Sequence, residues 1–147
     1  MGTGGTIAAM ERVYTAPLLD KLGIRPGMRV AIVGDLDADP EAPVIRASID
    51  ERTSDVTNGL PQPDTDVVLL LVDTTDELAI LSELRSRIRQ AGAIWVVSRK
   101  GKAATIRDVE VMSIARDHDL IDNKVVAFSA ERTSIRLVIP VALRQRA

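Results

Sequence analysis

Cysteine is absent from this sequence, and aromatic residues are nearly so. The lack of cysteine excludes disulfides, thiolate nucleophiles, zinc sites built on cysteine and iron–sulfur clusters. The aromatic residues are Tyr14, Trp95 and Phe128, so the core must be aliphatic, which suits buried parallel strands. The same scarcity removes the stacking platforms on which single-stranded nucleic acids bind.

Charge of one sign is not in excess either. The 19 basic and 21 acidic residues give a net charge of -2, too balanced for nonspecific nucleic-acid binding, so no nucleic-acid partner is expected. The longest apolar run, Val67–Val72, is far shorter than the roughly 20 residues of a membrane helix. No basic-then-apolar signal opens the chain. We therefore expect no membrane association and a cytoplasmic location.

The length of 147 residues and the hydrophobic fraction of 46% predict a single folded domain. Residues 1–13 begin with MGTGGT, but no strand precedes this stretch to deliver a phosphate-binding loop. We therefore predict a flexible N-terminal tail over 1–13, followed by one domain over 14–147.

Three apolar runs have the length and flanking turn residues that are typical of parallel strands buried on both faces. They are Met28–Val33 (MRVAIV), Asp66–Val72 (DVVLLLV) and Ala93–Ser98 (AIWVVS). A weaker edge strand is predicted at Arg52–Thr57. Two more strands, Lys124–Phe128 and Thr133–Ile139, are joined by a turn too short for a parallel crossover, which predicts an antiparallel hairpin.

Helical segments alternate with these strands. The predicted helices are Thr15–Leu22, Glu41–Asp50, a helix that starts at Thr74 and ends before Gly92, and Ile106–Asp117. The residues expected to face inward in the helix from Thr74 are Leu78, Leu81, Leu84 or Arg85, and Ile88, and in the last helix Ile106, Val109, Met112 and Ala115. The alternation predicts a three-layer, Rossmann-like α/β fold whose mostly parallel sheet carries an antiparallel C-terminal hairpin strand, as in methyltransferases.

Three segments carry a further pattern. They are Tyr14–Gly27 (YTAPLLDKLGIRPG), Ala93–Val97 with Lys100 shortly after, and Leu120–Val125 (LIDNKV). Together they resemble the bacterial domain of unknown function family 3052, over the span from Tyr14 to Val138. The resemblance implies a compact protein with methyltransferase-like Rossmann topology, and it implies no particular activity.

The first candidate site lies where ligands bind in an open parallel sheet, beyond the carboxyl ends of the strands. Gly34 and Asp35 follow the first predicted strand. The further glycines of a cofactor-binding loop are absent from this segment. Beyond the third strand, Arg99, Lys100 and Lys102 lie beside a helix start, where amide donors and the helix dipole favour an anion. Arg99, Lys100 and Lys102 form a candidate phosphate or carboxylate site, for which the alternative is a solvated basic loop, and Gly34 and Asp35 are candidate ligand-binding residues at the same edge.

The second candidate is the segment Asp122–Lys124. It is typical of a turn that enters a strand, because Asp and Asn can bond their own backbone. In the functional alternative, Lys124 pairs with Asp122 or with a helix carboxylate and fixes an edge that faces a ligand or a partner. The apolar residues of the C-terminal hairpin also leave an edge that a second copy of the chain could cover, in a homodimer.

The chain offers little for catalysis. His118 is its single histidine and follows a predicted helix, so neither a metal site nor histidine-dependent catalysis is expected. One function that stays open is a nonenzymatic Rossmann-like module that binds a small anionic ligand or a protein partner. The other is a degenerate or atypical enzyme, related to methyltransferases, that binds S-adenosylmethionine or a nucleotide. The sequence identifies no cofactor.

Overall fold

The computed structural model describes residues 16–145, which form a six-stranded sheet between helices. The strands are β1 (Val30–Val33), β2 (Val56–Asn58), β3 (Thr65–Leu71), β4 (Ile88–Arg99), β5 (Ile121–Ala127) and β6 (Arg132–Val138). Their order across the sheet is β2-β1-β3-β4-β6-β5. The first four strands are parallel, whereas β6 is antiparallel to both β4 and β5. The predicted mostly parallel sheet with an antiparallel hairpin strand is confirmed.

Helices pack on both faces of this sheet. They are α1 (residues 16–22), α2 (Ala42–Arg52), α3 (Leu81–Arg87) and α4 (Asp108–Asp117). One aliphatic core lies between the sheet and α3 and α4, and the other lies between the sheet and α1 and α2. In the second core, the buried Trp95 indole donates a 2.9 Å hydrogen bond to the carbonyl of Leu22, which ties α1 to the centre of the sheet. The three-layer architecture is therefore confirmed.

The helix predicted from Thr74 ends earlier than expected. It starts as a 3₁₀ turn, Thr75–Ile80, and continues as α3 only to Arg87. Ile88, predicted on the inner face of this helix, instead opens β4 and pairs with Thr65. The sheet offers Ile88 a buried position, with 4% of the residue exposed, and this tertiary contact outweighs the helical pattern.

The inward face predicted for α4 is also wrong in part. Val109 is 61% exposed, whereas Val111 and Ala115 are buried. The helix starts at Asp108, so Ile106 lies before it. The buried residues of the helix are Val111 and, four positions later, Ala115, and they do not continue the predicted apolar stripe from Ile106. An exposed valine consequently stands on the outer surface of α4.

The remaining boundaries differ by a few residues. Helix α2 extends to Arg52, and β2 is limited to Val56–Asn58. Strand β5 starts at Ile121, so Lys124 lies inside this strand rather than at its entry, which corrects the predicted turn. The predicted tail over 1–13 and the helix start at Thr15 lie outside the described residues. Within residues 16–145, no helix is long and apolar enough to cross a membrane.

Candidate functional site

The crevice between β1 and β3 is the place where a sheet of this topology usually binds its ligand. The chain leaves β1 for β2 on one side and then returns to β3 on the other side of β1, so the loops diverge at this point. The pocket there has a volume of about 90 Å³. Small-molecule sites usually measure about 300–1,000 Å³. The pocket is lined by Asp35, Ala38, Leu71, Val72, Asp73, Glu77 and Arg132.

Gly34 brings the loop after β1 against β3. Its φ is +99°, and a Cβ built on it would lie 2.5 Å from the carbonyl oxygen of Leu71. A side chain at this position would therefore clash with the backbone of β3 and would also strain its own backbone. The glycine that the sequence offers for a close cofactor approach is used to pack two strands together.

A buried ion pair includes Arg132, one of the residues that line the crevice pocket. The Nη1 atom of Arg132, at the start of β6, donates to Oδ2 of Asp39 at 3.0 Å, and the two residues are 4% and 1% exposed. The hydroxyl of Ser129 donates to the same oxygen at 2.6 Å, and the backbone N–H of Glu41 donates to Oδ1 at 2.8 Å. Burial alone would raise the pKa of Asp39, but these hydrogen bonds and the Arg132 charge hold it below its usual value.

The same contacts fix two loops to each other. Glu41 accepts a 2.6 Å hydrogen bond from the backbone N–H of Ala130 in the β5–β6 turn. Leu36, in the loop after β1, is fully buried in the core beneath α2. The loop over residues 34–41 is thus held down by a side chain in the core and by the hairpin. Nothing local in the sequence predicts the pairing of Asp39 with Arg132, although Arg132 shares the strand face of Ser134 and Arg136 by alternation.

A larger groove lies beside the crevice, between the end of β4 and the start of α4. Its volume is about 520 Å³, within the range usual for small-molecule sites. It is lined by Arg99, Lys100, Gly101, Ala104, Ile106, Arg107, Asp108, Val109 and Thr133. The lining therefore contains three cationic side chains, one carboxylate and several apolar side chains. We call this feature the β4–α4 groove.

The cations of the β4–α4 groove differ in how far they are neutralised. Arg99 Nε lies 3.2 Å from Asp73 Oδ1, and Arg107 Nε lies 3.6 Å from Glu110 Oε1. Lys100 makes no ion pair within residues 16–145. The backbone N–H of Lys100 donates a 3.1 Å hydrogen bond to the backbone carbonyl of Glu131. This bond attaches the start of the loop to the turn between β5 and β6. Lys100 is thus the cation of the groove that is most available to a ligand.

The residues of the first sequence-predicted site are divided between these two places. Arg99 and Lys100 line the β4–α4 groove, and Asp35 lines the crevice pocket. Lys102 is exposed and does not line the groove, and Gly34 packs on Leu71. Arg107 is not identified by its sequence pattern, because a charged residue just before a helix carries no signal that separates a ligand contact from a solvated side chain.

Asp122 and Lys124 do not form the ion pair considered for them. In β6, Leu137 is opposite Asp122 and Arg136 is opposite Lys124, so an extra residue, Asn123, forms a β-bulge in β5. The bulge turns the two side chains to opposite faces of the sheet, although they are two residues apart. Lys124 instead donates to the backbone carbonyl of Lys21 at 3.3 Å, and Oδ1 of Asp122 is buried without a hydrogen-bond partner.

Metal chemistry has no support in the described part of the chain. Residues 16–145 contain no group of three or more His, Cys, Asp or Glu side chains that could hold a metal ion. The Nδ1 atom of His118 lies 2.5 Å from the hydroxyl of Ser82, a contact that joins the end of α4 to α3. The histidine therefore has a structural partner.

Solved structures provide the remaining comparison, since no protein-family model and no curated protein matches the sequence. A SAM-dependent methyltransferase from Aquifex aeolicus is similar at a TM-score of 0.58 and 16% identity, with 84% of this chain and 88% of that chain covered. Magnesium protoporphyrin IX methyltransferase from Synechocystis, with bound SAM, gives 0.54 and 14%, covering 90% and 79%. A putative type 11 methyltransferase from Sulfolobus solfataricus gives 0.56 and 10%, covering 88% and 93%. At these identities the likeness shows the fold, and the chain has the Rossmann-like fold of SAM-dependent methyltransferases.

Proposed function

We propose that this protein binds a small anionic ligand in the β4–α4 groove and is a methyltransferase-fold binding module rather than a methyl-transfer catalyst. The observation that carries the proposal is the placement of Arg99, Lys100 and Arg107 around a groove of about 520 Å³ at the carboxyl edge of the sheet. Ligands of open α/β sheets bind at this edge. The start of α4 adds backbone N–H groups and the positive end of a helix dipole.

The chemistry of the groove defines the class of ligand. Arginine and lysine donors suit a phosphate or carboxylate group. Ile106, Ala104 and Val109 supply an apolar surface next to these donors, against which a ring or a short aliphatic portion can pack. The carboxylate of Asp108 disfavours a ligand whose negative charge extends along the whole groove. A compact metabolite with one anionic end and one apolar part fits these features.

A nucleotide- or SAM-binding enzyme related to methyltransferases is the second candidate. The fold favours it, since the similar structures include methyltransferases solved with bound SAM or SAH. For such a ligand to enter the crevice between β1 and β3, the loop over 34–41 must move away from β3. That movement would break the buried Asp39–Arg132 pair. Breaking the pair has a large free-energy cost, because it leaves a charge buried without its partner.

Thermal unfolding with a panel of small ligands, three of them anions, tests the first candidate. Pyrophosphate, citrate, AMP, SAM and SAH are compared at equal ionic strength, because a ligand that binds the folded state raises Tm. We expect an increase with at least one compact anion, and a smaller increase in the double variant Lys100→Ala with Arg107→Ala. The control is Lys102→Ala, which removes one positive charge from the same loop as Lys100, outside the groove lining, and should leave the response unchanged.

The outcomes separate the two candidates. A response confined to SAM and SAH that survives the double substitution would reject the groove proposal and favour the enzyme. A loss in Lys102→Ala as large as the loss in the double variant would show that the response does not depend on the side chains of the groove lining, and would also reject the groove as a site.

A further inference from the structure

A second group of cations lies on the other face of the sheet, around Arg136 of β6. Arg136 is half-buried in an interior strand, opposite Trp95 of β4 and Lys124 of β5. Strand alternation places Thr133, which lines the β4–α4 groove, and Arg136 on opposite faces. Arg144, in the segment after β6, donates a hydrogen bond to the carbonyl of Ile139, three residues beyond Arg136, and its charge contributes to lowering the pKa of Arg136. We call Arg136, Arg144 and Lys124 the Arg136 cluster.

The hydrogen bonds that these side chains make go to neutral oxygen atoms. Arg136 Nη1 donates to Oδ1 of Asn123 at 3.3 Å, and Arg144 Nε donates to the carbonyl of Ile139 at 3.0 Å. Lys124 Nζ donates to the carbonyl of Lys21 at 3.3 Å. No carboxylate lies within ion-pair distance of any of the three, as far as residues 16–145 are concerned. Most other arginines of the sheet and α2 have such a partner, for example Arg89 and Arg52.

The cluster carries an electrostatic cost in the folded protein. Burial first, and the charge of Arg144 second, lower the pKa of Arg136. The guanidinium nevertheless stays protonated at neutral pH. Because it does not lose its proton, the unfavourable free energy of burying this charge remains in the folded protein. A half-buried cation beside another cation is stabilised when an anion binds between them.

From this geometry we infer that the Arg136 cluster is a second anion-binding site, which takes the phosphate or carboxylate group of a small molecule. The guanidinium of Arg136 has donors left after its bond to Asn123, and its fork suits two oxygens of one such group. Lys124, opposite in register, can exchange its backbone acceptor for the ligand. The proposal does not depend on the β4–α4 groove, which lies on the other face.

The test is a titration with inorganic phosphate, followed by ¹H–¹⁵N NMR in the protein that already carries Lys100→Ala and Arg107→Ala. In that background two of the three groove cations are removed, and the third, Arg99, is paired with Asp73. We expect saturable shifts of the Arg136 side-chain N–H and of the Asn123 side-chain amide. Chloride at equal ionic strength should not reproduce them, because a single-atom ion does not offer the guanidinium fork the two separate oxygen acceptors of a phosphate.

Matched variants decide the outcome. Arg136→Gln should weaken phosphate binding about tenfold or more, as expected for the loss of charge-assisted hydrogen bonds. Arg116→Gln removes an exposed arginine from α4 and should change nothing. Arg144→Gln weakens binding without touching the sheet, and serves if Arg136→Gln does not fold. Shifts that grow linearly without saturation, or an affinity that is equal in Arg144→Gln and Arg116→Gln, would overturn the inference.

Discussion

Arg132 and Asp39 are 93 residues apart in the chain and form an ion pair of 3.0 Å that is almost completely buried. Their pairing holds the loop after β1 over the carboxyl edge of the sheet, at the position where related folds open a crevice. The crevice there has a volume of only about 90 Å³, whereas the groove beside Lys100 measures about 520 Å³.

The first prediction concerns the buried pair. Arg132→Ala should lower the free energy of unfolding by about 3–5 kcal/mol, because it leaves Asp39 buried without its cation. Denaturant unfolding measures the loss. The control is Arg46→Ala, which removes the exposed pair with Asp37 and should cost about 0–1 kcal/mol. Similar losses in the two variants would show that the buried pair does not hold the loop.

The pH dependence of stability gives the second prediction. The pKa of Asp39 is lower in the folded protein than in the unfolded chain, so the unfolded chain binds the proton more tightly. The stabilisation is complete above the unfolded pKa of about 3.9 and is lost as the pH falls through the folded pKa. Asp39→Asn should reduce the slope of unfolding free energy against pH in that acidic window. An unchanged slope would contradict the assignment.

Gly34→Ala provides the third prediction. The new Cβ would lie 2.5 Å from the Leu71 carbonyl oxygen, on a backbone with φ of +99°. The matched control is Gly27→Ala, where φ is +78° and nothing lies within 4 Å, so it carries backbone strain without a clash. The control should cost about 1–2 kcal/mol, and Gly34→Ala clearly more. Equal costs would mean that β1 and β3 can separate at this point, as a cofactor crevice requires.

The fourth prediction uses the single tryptophan. Trp95 is fully buried, and its indole N–H bonds to the Leu22 carbonyl. Its fluorescence should resist quenching by iodide in the folded state and shift to the red on unfolding. Trp95→Phe should destabilise the protein by about 1–3 kcal/mol, because the carbonyl of Leu22 is left buried without its donor. Strong quenching of the native protein would place α1 away from the sheet.

How far the sequence predicts this structure depends on whether the signal is local. The runs MRVAIV, DVVLLLV and AIWVVS are local patterns, and each one lies in a parallel strand of the sheet. Ile88 fits the apolar face of a helix but lies in β4. Val109 fits an inward-facing position of a helix but is exposed on α4. For Ile88 the tertiary pairing with Thr65 decides, and for Val109 the start of α4 at Asp108 decides; neither is contained in the local pattern.

The candidate site shows the same limit. Arg99 and Lys100 could be selected because they follow a predicted strand, and they line the β4–α4 groove. Asp39 and Arg132 could not be paired, since neither spacing nor composition joins residues so far apart in the chain. The bulge at Asn123, which separates Asp122 from Lys124, is likewise a property of the pairing with β6 rather than of β5 itself.

Titration of the ¹⁵N-labelled protein with pyrophosphate, and separately with SAH, tests the central proposal most directly. The account predicts saturable shifts of the backbone amides of Lys100, Gly101 and Arg107 with pyrophosphate, and no saturable shift at Gly34 or Asp35 with either compound. Saturable shifts at Gly34 and Asp35 with SAH, together with unchanged amides in the β4–α4 groove, would contradict it.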